Sequence, residues 1–367
     1  MTHDTNPMPD AACTVSIIIK ALNEESNISA AIKSALQAAE LVGGEVILAD
    51  SCSTDQTVAL AAQFPIRIVQ LSHPGERCCG IGPQLGYQHS LGEFIYILDG
   101  DMQLIASFLP EALAFMRMHP DMASVGGRVI ETNTESLEYV ARMDRASKHM
   151  QSGLVDRLDG GGLYRRTAIE EVGYLSNRNL HSYEEFDLAT RLRSRGWKLW
   201  RIPIDSVTHH GHDTPPYQLL MRRWKNNYLC GIGELIRAAW GAPHIAIALS
   251  GLRELRIYTA VLVWWMLLLG IPFTPLPWIT ATLACSILLV IPFFLMTVRK
   301  RSLSKAIFSV VSWCFCTAGL LRGLRRQQRS ATGLISSKII LDAVEISHHE
   351  LNTAQKNNIY AKSTAHH

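Results

Sequence analysis

The sequence predicts an α/β domain, a mostly parallel sheet flanked by helices, followed by an α-helical membrane part. Three observations carry that expectation. Short β-branched runs alternate with stretches of helical periodicity through the first half of the chain. One of these runs, Phe94 to Leu98, stops abruptly at Asp99-Gly100-Asp101, which reads as a buried strand ending in two carboxylates. The apolar residues then crowd into the last third, where two runs reach the length of a membrane span.

Composition narrows the classes. The 367 residues suffice for one large domain, or two medium ones, with a sizeable core. Charged residues are 18% and hydrophobic ones 48%, a soluble average, so the crowding of apolar residues at the back implies a soluble front. The net charge of +3 gives no reason to expect nucleic acid, whose binders carry a concentrated basic stripe. None of the 8 cysteines forms a paired C-x-x-C pattern, which argues against structural zinc and a disulfide framework. The opening MTHDTNPMPDAAC lacks the basic and apolar regions of a secretory signal, so the front domain is expected in the cytosol.

The elements follow in order. Val15 to Lys20 is a strand, and Ile28, Ile32, Ala35 and Leu36 recur at helical spacing after it. Glu45 to Ala49 is a second strand ending at Asp50. The helix expected next has Ser53 and Gln56 as a capping box. Ile66 to Leu71 is a third strand, leading through a glycine-rich stretch, Gly75 to Gly86, to a helix ending near Gly92 and then to Phe94. In such a sheet ligands gather at the carboxyl ends of the strands, and Asn23, Asp50 and Asp99 all fall there. Asn23 and Asp50 are each equally explicable singly as turn or capping residues, and D-G-D as an acidic turn after a strand. In D-G-D the glycine lets both carboxylates turn toward one ligand, and hard oxygen donors suit Mg2+ or Mn2+.

A strand from Gly126 and a helical stretch to about Gln151 come next. Gly160 to Gly162 read either as a turn or as a place where backbone passes close to a bulky ligand, with Arg165 and Arg166 available to phosphate. Ser182 and Glu185 form a second capping box, Asp187 can pair with Arg191, Gly196 can end the helix, and Arg191, Arg193 and Arg195 read as its solvated face. A carboxylate at a helix N-terminus is well held for work as a general base. His209, His210 and His212 lie in a loop after a short strand, either as surface residues or with one of them completing the metal site. The stretch QLLMRRWKNNYLCGIGELIRAAW reads as an amphipathic helix against a membrane surface, with Arg222, Arg223 and Lys225 toward anionic headgroups or a pyrophosphate.

Ile257 to Phe273 and Trp278 to Val298 read as a hairpin of spanning helices joined by the uncharged loop TPLP, with basic flanks that belong in the cytosol. A third run, Ala306 to Leu321, is shorter. If it spans, the basic RGLRRQQR after it faces outward, against the positive-inside rule; a re-entrant or interfacial helix avoids this, and the reading leans to a third span. Gly319 and Gly323 form a small-xxx-small pair for helix packing. The tail after Ser330 is polar, with a helical pattern near Ile339 to Ile346 and a disordered end.

Five ordered pieces, VSIIIKALNEE, ILADSCSTDQT, LGYQHSLGEFIYILDGDM, GGGLYRR and YEEFDLATRLRSRGW, resemble the family 2 glycosyltransferases, whose nucleotide-sugar domain has the GT-A fold. The resemblance covers roughly Val15 to Trp240. It implies a GT-A domain over 14–235 after a polar tail of 1–13. An interfacial connector over 236–256, membrane helices within 257–321 (about 257–273, 278–298 and 304–321) and a basic, then polar tail over 322–367 complete the organisation. It implies donor-nucleotide contacts at Ala21, Asn23, Glu24, Asp50, Ser53, Asp99 and Gly100. Glu24 and Asp50 would hold the base and ribose, and Asp99 would lie near ribose and metal. A divalent metal, Mg2+ or Mn2+, would sit on Asp101, with Asp99 and His209 as further candidate ligands. Glu185 occupies the position of the catalytic base, where aspartate is more usual, and Gly161, Gly162, Glu184, Arg223 and Trp224 are candidates for acceptor or diphosphate binding. Three positions depart from the family: Lys20 stands for proline, Ser51 for a second aspartate and Pro83 for an arginine. LLMRRW only partly resembles the Q-x-x-R-W of processive synthases, since Leu220 fills the glutamine position.

The expectation is an inverting transferase in the cytoplasmic (inner) membrane, multi-pass, with its catalytic domain in the cytosol. It would move sugar from a nucleotide-diphosphate donor to a lipid-linked sugar acceptor in surface polysaccharide or glycolipid assembly, with no nucleic acid partner. The alternative acceptor is polyprenyl phosphate. A different class, a membrane-tethered nucleotide-sugar binding protein without catalysis, is made thinkable by Ser51 and Pro83. A dinucleotide-binding oxidoreductase is set aside, because no G-x-G-x-x-G follows the first strand.

Overall fold

The computed structural model describes residues 13–132, 150–209 and 214–342. The helical stretch expected before Gln151, together with His210, His212 and the end of the tail, lies outside the described residues. The structure divides into two compact units. The first takes in the described residues of Met1–Arg178, Leu188–His212 and Ser330–His367, the second those of Asn179–Asp187 and Asp213–Arg329.

The first unit is organised on β1 (Val15–Ala21), whose seven residues alternate between two cores. Ile17 and Ile19 face α1 (Ile28–Val42), packing with Ile28, Ile32 and Ala35. Ile18 faces the opposite layer with Ile47, Ile81 and Leu85. A run apolar on both faces is what a central parallel strand covered on two sides requires. β2 (Glu45–Asp50), β3 (Arg67–Leu71) and β4 (Phe94–Asp99) extend the parallel part, with α2 (Thr57–Ala61) and α3 (Ile81–Gln88) between them. On the other side of β4 the sheet turns mixed. β5 (Met102–Leu104) leads to α4 (Phe108–Met118), followed by β6 (Met122–Glu131), β7 (Gly153–Val155), β8 (Gly162–Arg165), α5 (Arg166–Glu171), α6 (Glu184–Ser194) and β9 (Lys198–His209). The strand order is β10-β3-β2-β1-β4-β8-β6-β9-β5, with β7 on β9.

β10 (Ser337–Leu341) corrects the helix expected near Ile339. It pairs antiparallel with β3, so residues following the apolar helices in sequence complete the sheet. Ile335 and Ser337 alternate with exposed neighbours there, and the approach to the strand is fixed by side chains far away in sequence. The Gln88 amide both donates to and accepts from the Ile335 backbone, at 3.0 and 2.8 Å, and buried Arg178 donates to the Gly333 and Leu334 carbonyls. A short local pattern cannot reveal partners of that kind.

Three further expectations change. The helix after β2 starts at Thr57 rather than at Ser53. Arg191 is buried, its guanidinium donating to the Tyr174 and Leu175 carbonyls, and is no part of a solvated face. Arg165 and Arg166 likewise serve the backbone, donating to the Met116 and Gly92 carbonyls and lying over the Phe94 and Tyr87 rings.

The second unit is helical. The single amphipathic helix expected here is broken into α7 (Pro216–Lys225), a 3-10 turn (Tyr228–Cys230) and α8 (Gly231–Ala239), because Asn227 adopts a left-handed φ of 64°. α9 (Ile245–Gly251), α10 (Leu255–Gly270), α11 (Trp278–Lys300) and α12 (Leu303–Arg325) follow. The last three contain stretches long and apolar enough to cross a membrane.

In the first unit α3 approaches β1 so closely that a Cβ on Gly86 would stand 2.2 Å from Ile18 Cγ2. Gly86→Ala therefore overpacks a fully buried contact, and we expect a loss of about 1–3 kcal/mol, read as a lower thermal midpoint of the detergent-solubilised protein.

Candidate active site

The register of the parallel strands builds the site. Ala21 pairs with Asp50, and Lys20 with Asp99, so the ends of β2, β1 and β4 stand level. The loops leaving β1 and β2 are then laced together. Asn23, at a left-handed φ of 58°, donates its N–H to Ser53 Oγ at 2.9 Å and accepts the Thr54 N–H at 2.8 Å. Glu24 N–H donates to Thr57 Oγ1, Glu25 N–H to Asp55, and Gln56 N–H to Glu25. Asp50 is fully buried. Its Oδ2 accepts from Ser53 N–H at 3.0 Å and from Gln70 at 2.9 Å, while Oδ1 has no hydrogen-bond partner among the described residues. An acceptor left open at such depth is costly unless a ligand or water donates to it.

At the end of β4, Gly100 is where a side chain will not fit. A Cβ would lie 2.9 Å from Glu24 Cγ, so the glycine lets Glu24 fold over the D-G-D turn. The two aspartates have different partners. Asp99 meets Lys20 Nζ at 2.9 Å, while Asp101 Oδ2 faces His209 Nε2 at 3.4 Å. His209 ends β9, opposite Met102 on one side and Glu131 on the other, and its Nδ1 lies 2.6 Å from Glu131 Oε2. Asp101, His209 and Glu131 thus form a continuous chain. Hydrogen bonding to Asp101, opposed by burial and aided by Glu131, raises the imidazole to about 9. Burial, with the charges of Asp101 and Asp99, pushes the Glu24 carboxyl up to about 7 against the help of the Asn27 amide.

This donor set fits a divalent cation in one specific way. Among the described residues no group of three or more His, Cys, Asp or Glu converges on a point. Asp101 and His209 offer a carboxylate oxygen and an imidazole nitrogen, with Glu131 orienting the ring from behind as carboxylates do for metal-bound histidines. Such a pair suits a metal that takes its remaining ligands from phosphate and water, as Mg2+ and Mn2+ do.

Not every sequence candidate belongs to this cluster. Gly161, at φ +91°, and Gly162 have a packing reason of their own: a Cβ would reach 2.8 Å from the Ile97 carbonyl and 2.7 Å from Leu158. Glu184 and Glu185 lie in the second unit, where they open α6 after Tyr183, itself at a left-handed φ of 67°. The Ser182 hydroxyl donates to the Tyr228 carbonyl. Arg223 lies over the Tyr228 ring, and Trp224 packs edge-on against Phe315 of α12. Sequence reasoning missed Glu131, Asp55 and Thr57. Asp55 and Thr57 flank a residue it had singled out, but Glu131 has no local signature, because only the pairing of β6 with β9 brings it to His209.

Residues 16–173 match the model of the family described as glycosyl transferase family 2. Over that segment the first unit is similar to the family 2 glycosyltransferases. It is 25% identical over 155 residues to a probable glucomannan 4-beta-mannosyltransferase of Arabidopsis thaliana, covering 40% of this chain and 27% of that protein. The chain thus spans about a quarter of the length of the plant relatives it matches. An uncharacterised glycosyltransferase of Mycobacterium bovis is 24% identical over 199 residues, 53% of this chain and 85% of that one. The GT-A fold is shared with a mannosyltransferase from Pyrobaculum calidifontis solved with GDP-Man and Mn2+, at a TM-score of 0.55 and 15% identity, over 89% of this chain and 91% of that chain.

The two shifted groups act in opposite pH windows. Glu24 holds its proton longer when folded, so it subtracts stability as pH rises from the ordinary glutamate value of about 4.3 toward 7. His209 binds its proton more tightly when folded, so its contribution is complete below about 6.5 and is lost as pH rises through about 9. In metal-free protein, thermal midpoints of Glu24→Gln should therefore fall less than wild type between pH 4.5 and 7, and those of His209→Gln should fall less between pH 6.5 and 9, each to be read from midpoint against pH.

Proposed function

We propose that the protein is an inverting, metal-dependent glycosyltransferase that moves a sugar from a nucleoside-diphosphate donor to a lipid-linked sugar acceptor at the cytosolic face of a membrane, in surface polysaccharide or glycolipid assembly. The observation that carries the reading is the Asp101-His209-Glu131 chain beside Glu24, at the carboxyl ends of the parallel strands. The mannosyltransferases among its relatives, one of them solved with GDP-Man and Mn2+, support the class of donor and of metal. The apolar helices and the basic turn of α7 support an acceptor that arrives in the membrane.

In this reading Asp50 and the laced loops around Asn23 and Ser53 receive the nucleoside, with Ala21 and Gly100 providing the floor and Asp99 near the ribose. Asp101 and His209 hold the cation, which when bound neutralises the charge of the leaving diphosphate. Glu185 accepts the proton of the acceptor hydroxyl as its oxygen bonds to the anomeric carbon and the bond from that carbon to the diphosphate oxygen breaks. One displacement inverts the configuration and releases the nucleoside diphosphate. Glu184, Arg223 and Trp224, with the backbone at Gly161 and Gly162, are assigned to acceptor and diphosphate.

Asp101→Ala should abolish turnover in a transfer assay with purified protein, a donor panel and membrane lipid extract; near-normal transfer would remove the metal assignment. Glu185→Gln should lower kcat by about 10²–10⁴-fold if the acceptor is a hydroxyl. A fall of only a few-fold, with product on a polyprenyl phosphate, would identify the acceptor as an already ionised phosphate oxygen.

A further inference from the structure

The helical unit poses a problem of parity. Three helices are long and apolar enough to cross a bilayer, yet the strand that follows them belongs to the same sheet as the strands that precede them. The residues leading into β10 are fixed to the first unit from Gly333 onward, through Arg178, Gln88 and the Ser72 N–H bonded to the Ser336 carbonyl. Arg67 then meets Asp342 at 3.3 Å on the far side of the strand. A sheet cannot be assembled from both sides of a membrane, so the number of crossings between β9 and β10 is even.

Charge and packing decide which helix stays behind. Basic residues stand at the start of α10 (Arg253, Arg256), around the turn from α11 to α12 (Arg299, Lys300, Arg301, Lys305) and at the end of α12 (Arg325, Arg326, Arg329), whereas the loop Thr274–Pro277 has none. The positive-inside rule puts the three basic clusters on one face and that loop on the other. α10 and α11 are bare: Met266, Leu267, Leu269, Ile279, Phe294 and Val298 are all exposed. In α12, 28% of the apolar stretch is buried in the protein, against 11% for Leu255–Phe273 and 6% for α11.

Two partners cover α12: its first turns, at Ala306 and Val310, pack with Met296 of α11, and a charged partner covers the rest. Along its length Phe308 meets Tyr217, Phe315 meets Trp224, and Arg237 donates to the Leu324 carbonyl. A Cβ on Gly233 would stand 2.2 Å from the Leu320 carbonyl of α12, and one on Gly323 2.2 Å from the Cys230 carbonyl of the 3-10 turn before α8. Phe315 is near the middle of α12. Were α12 to cross, Trp224 and its neighbours Arg222, Arg223 and Lys225 would be carried to the depth of the bilayer centre, where cations are among the costliest residues. Moreover, α7 starts at Pro216, only seven residues past His209. At about 3.5 Å per residue that length falls short of the ~30 Å hydrocarbon core, so α7 lies on the side of the sheet.

We propose that the chain crosses the membrane twice, through α10 and α11, and that α12 is a surface helix, lying with α7 and α8 against the leaflet on the side of the nucleotide-sugar domain. This amends the lean toward a third span. It rests on the membrane reading of the helical unit and is independent of the transferase reaction.

Four substitutions in full-length protein in sealed membrane vesicles of both orientations test it: Lys33→Cys on α1 as reference, Thr274→Cys, Lys300→Cys and Gln327→Cys. A membrane-impermeant maleimide is the probe, scored against unsubstituted protein. Lys300→Cys and Gln327→Cys should label from the same face as Lys33→Cys, and Thr274→Cys only from the opposite face. Labelling of Gln327→Cys or Lys300→Cys from the opposite face, or of Thr274→Cys from the reference face, overturns the proposal. Leu276→Cys, Arg299→Cys and Arg329→Cys repeat the readings should a variant fail to accumulate. Recovery of the unsubstituted protein in the soluble fraction after alkaline extraction would instead remove the membrane reading, and the proposal with it.

Discussion

The register of β1 against its two parallel neighbours is the constraint from which the rest of the site follows. Because Ala21 stands beside Asp50 and Lys20 beside Asp99, three loops leave the sheet at one level, and their polar residues can meet. A slip of one residue would turn Ile17 and Ile19 into the opposite layer and break both cores at once. The register is therefore set by burial, and the placement of the carboxylates is inherited from it. Ser16 adds a polar lock in the core, donating to Glu45 at 2.6 Å and accepting from Gly92 at 2.7 Å, which ties β1 to the starts of β2 and β4.

That inheritance explains which parts of the molecule were legible in the sequence. Strands β1 to β4 announce themselves, because each is a short β-branched run bounded by polar residues, and their shared carboxyl edge follows from the parallel arrangement. The D-G-D turn was found for the same reason. Ser53 was singled out both as a helix cap and as a donor contact, and the structure makes it the acceptor for Asn23 ahead of a helix that starts only at Thr57. Glu131 was not found at all. Its neighbours in sequence give it no role, and its function as a partner of His209 exists only across β6 and β9. The basic residues misled in the opposite direction: Arg165, Arg166 and Arg191 resemble phosphate ligands or solvated charges, yet their forks fit backbone carbonyls and aromatic faces as readily.

β10 marks a different limit. Ile339 and Ile340 are consistent with a helix or a strand over so short a run, and periodicity does not discriminate. The choice is made by β3, which would otherwise present an open edge. Closing that edge with residues from beyond the apolar helices makes the sheet dependent on the helical part of the chain having been threaded and returned. The first unit is in this sense not finished when the stretch of sequence before the helices ends. Arg178 illustrates the dependence: its guanidinium is shared among the buried Glu76 pair and the carbonyls of Gly333 and Leu334, so it is fully satisfied only with the returning segment in place.

The charges at the site describe a state awaiting exchange. Lys20 neutralises Asp99, and a protonated His209 between Asp101 and Glu131 offsets one of their two charges, while Glu24 avoids the accumulated negative charge by keeping its proton to about 7. A divalent cation on Asp101 and His209 would replace the proton on Nε2, since an imidazole must be neutral there to ligate. Added positive charge near Asp101 would also ease the ionisation of Glu24, because the Asp101 charge is the largest electrostatic contribution opposing it. Cation binding is then coupled to release of protons from two residues of opposite kind, and it strengthens as pH rises. The same protonated arrangement is therefore what the proposed metal would have to displace, and Lys20, which takes the place of proline in the family pattern, supplies a countercharge for Asp99.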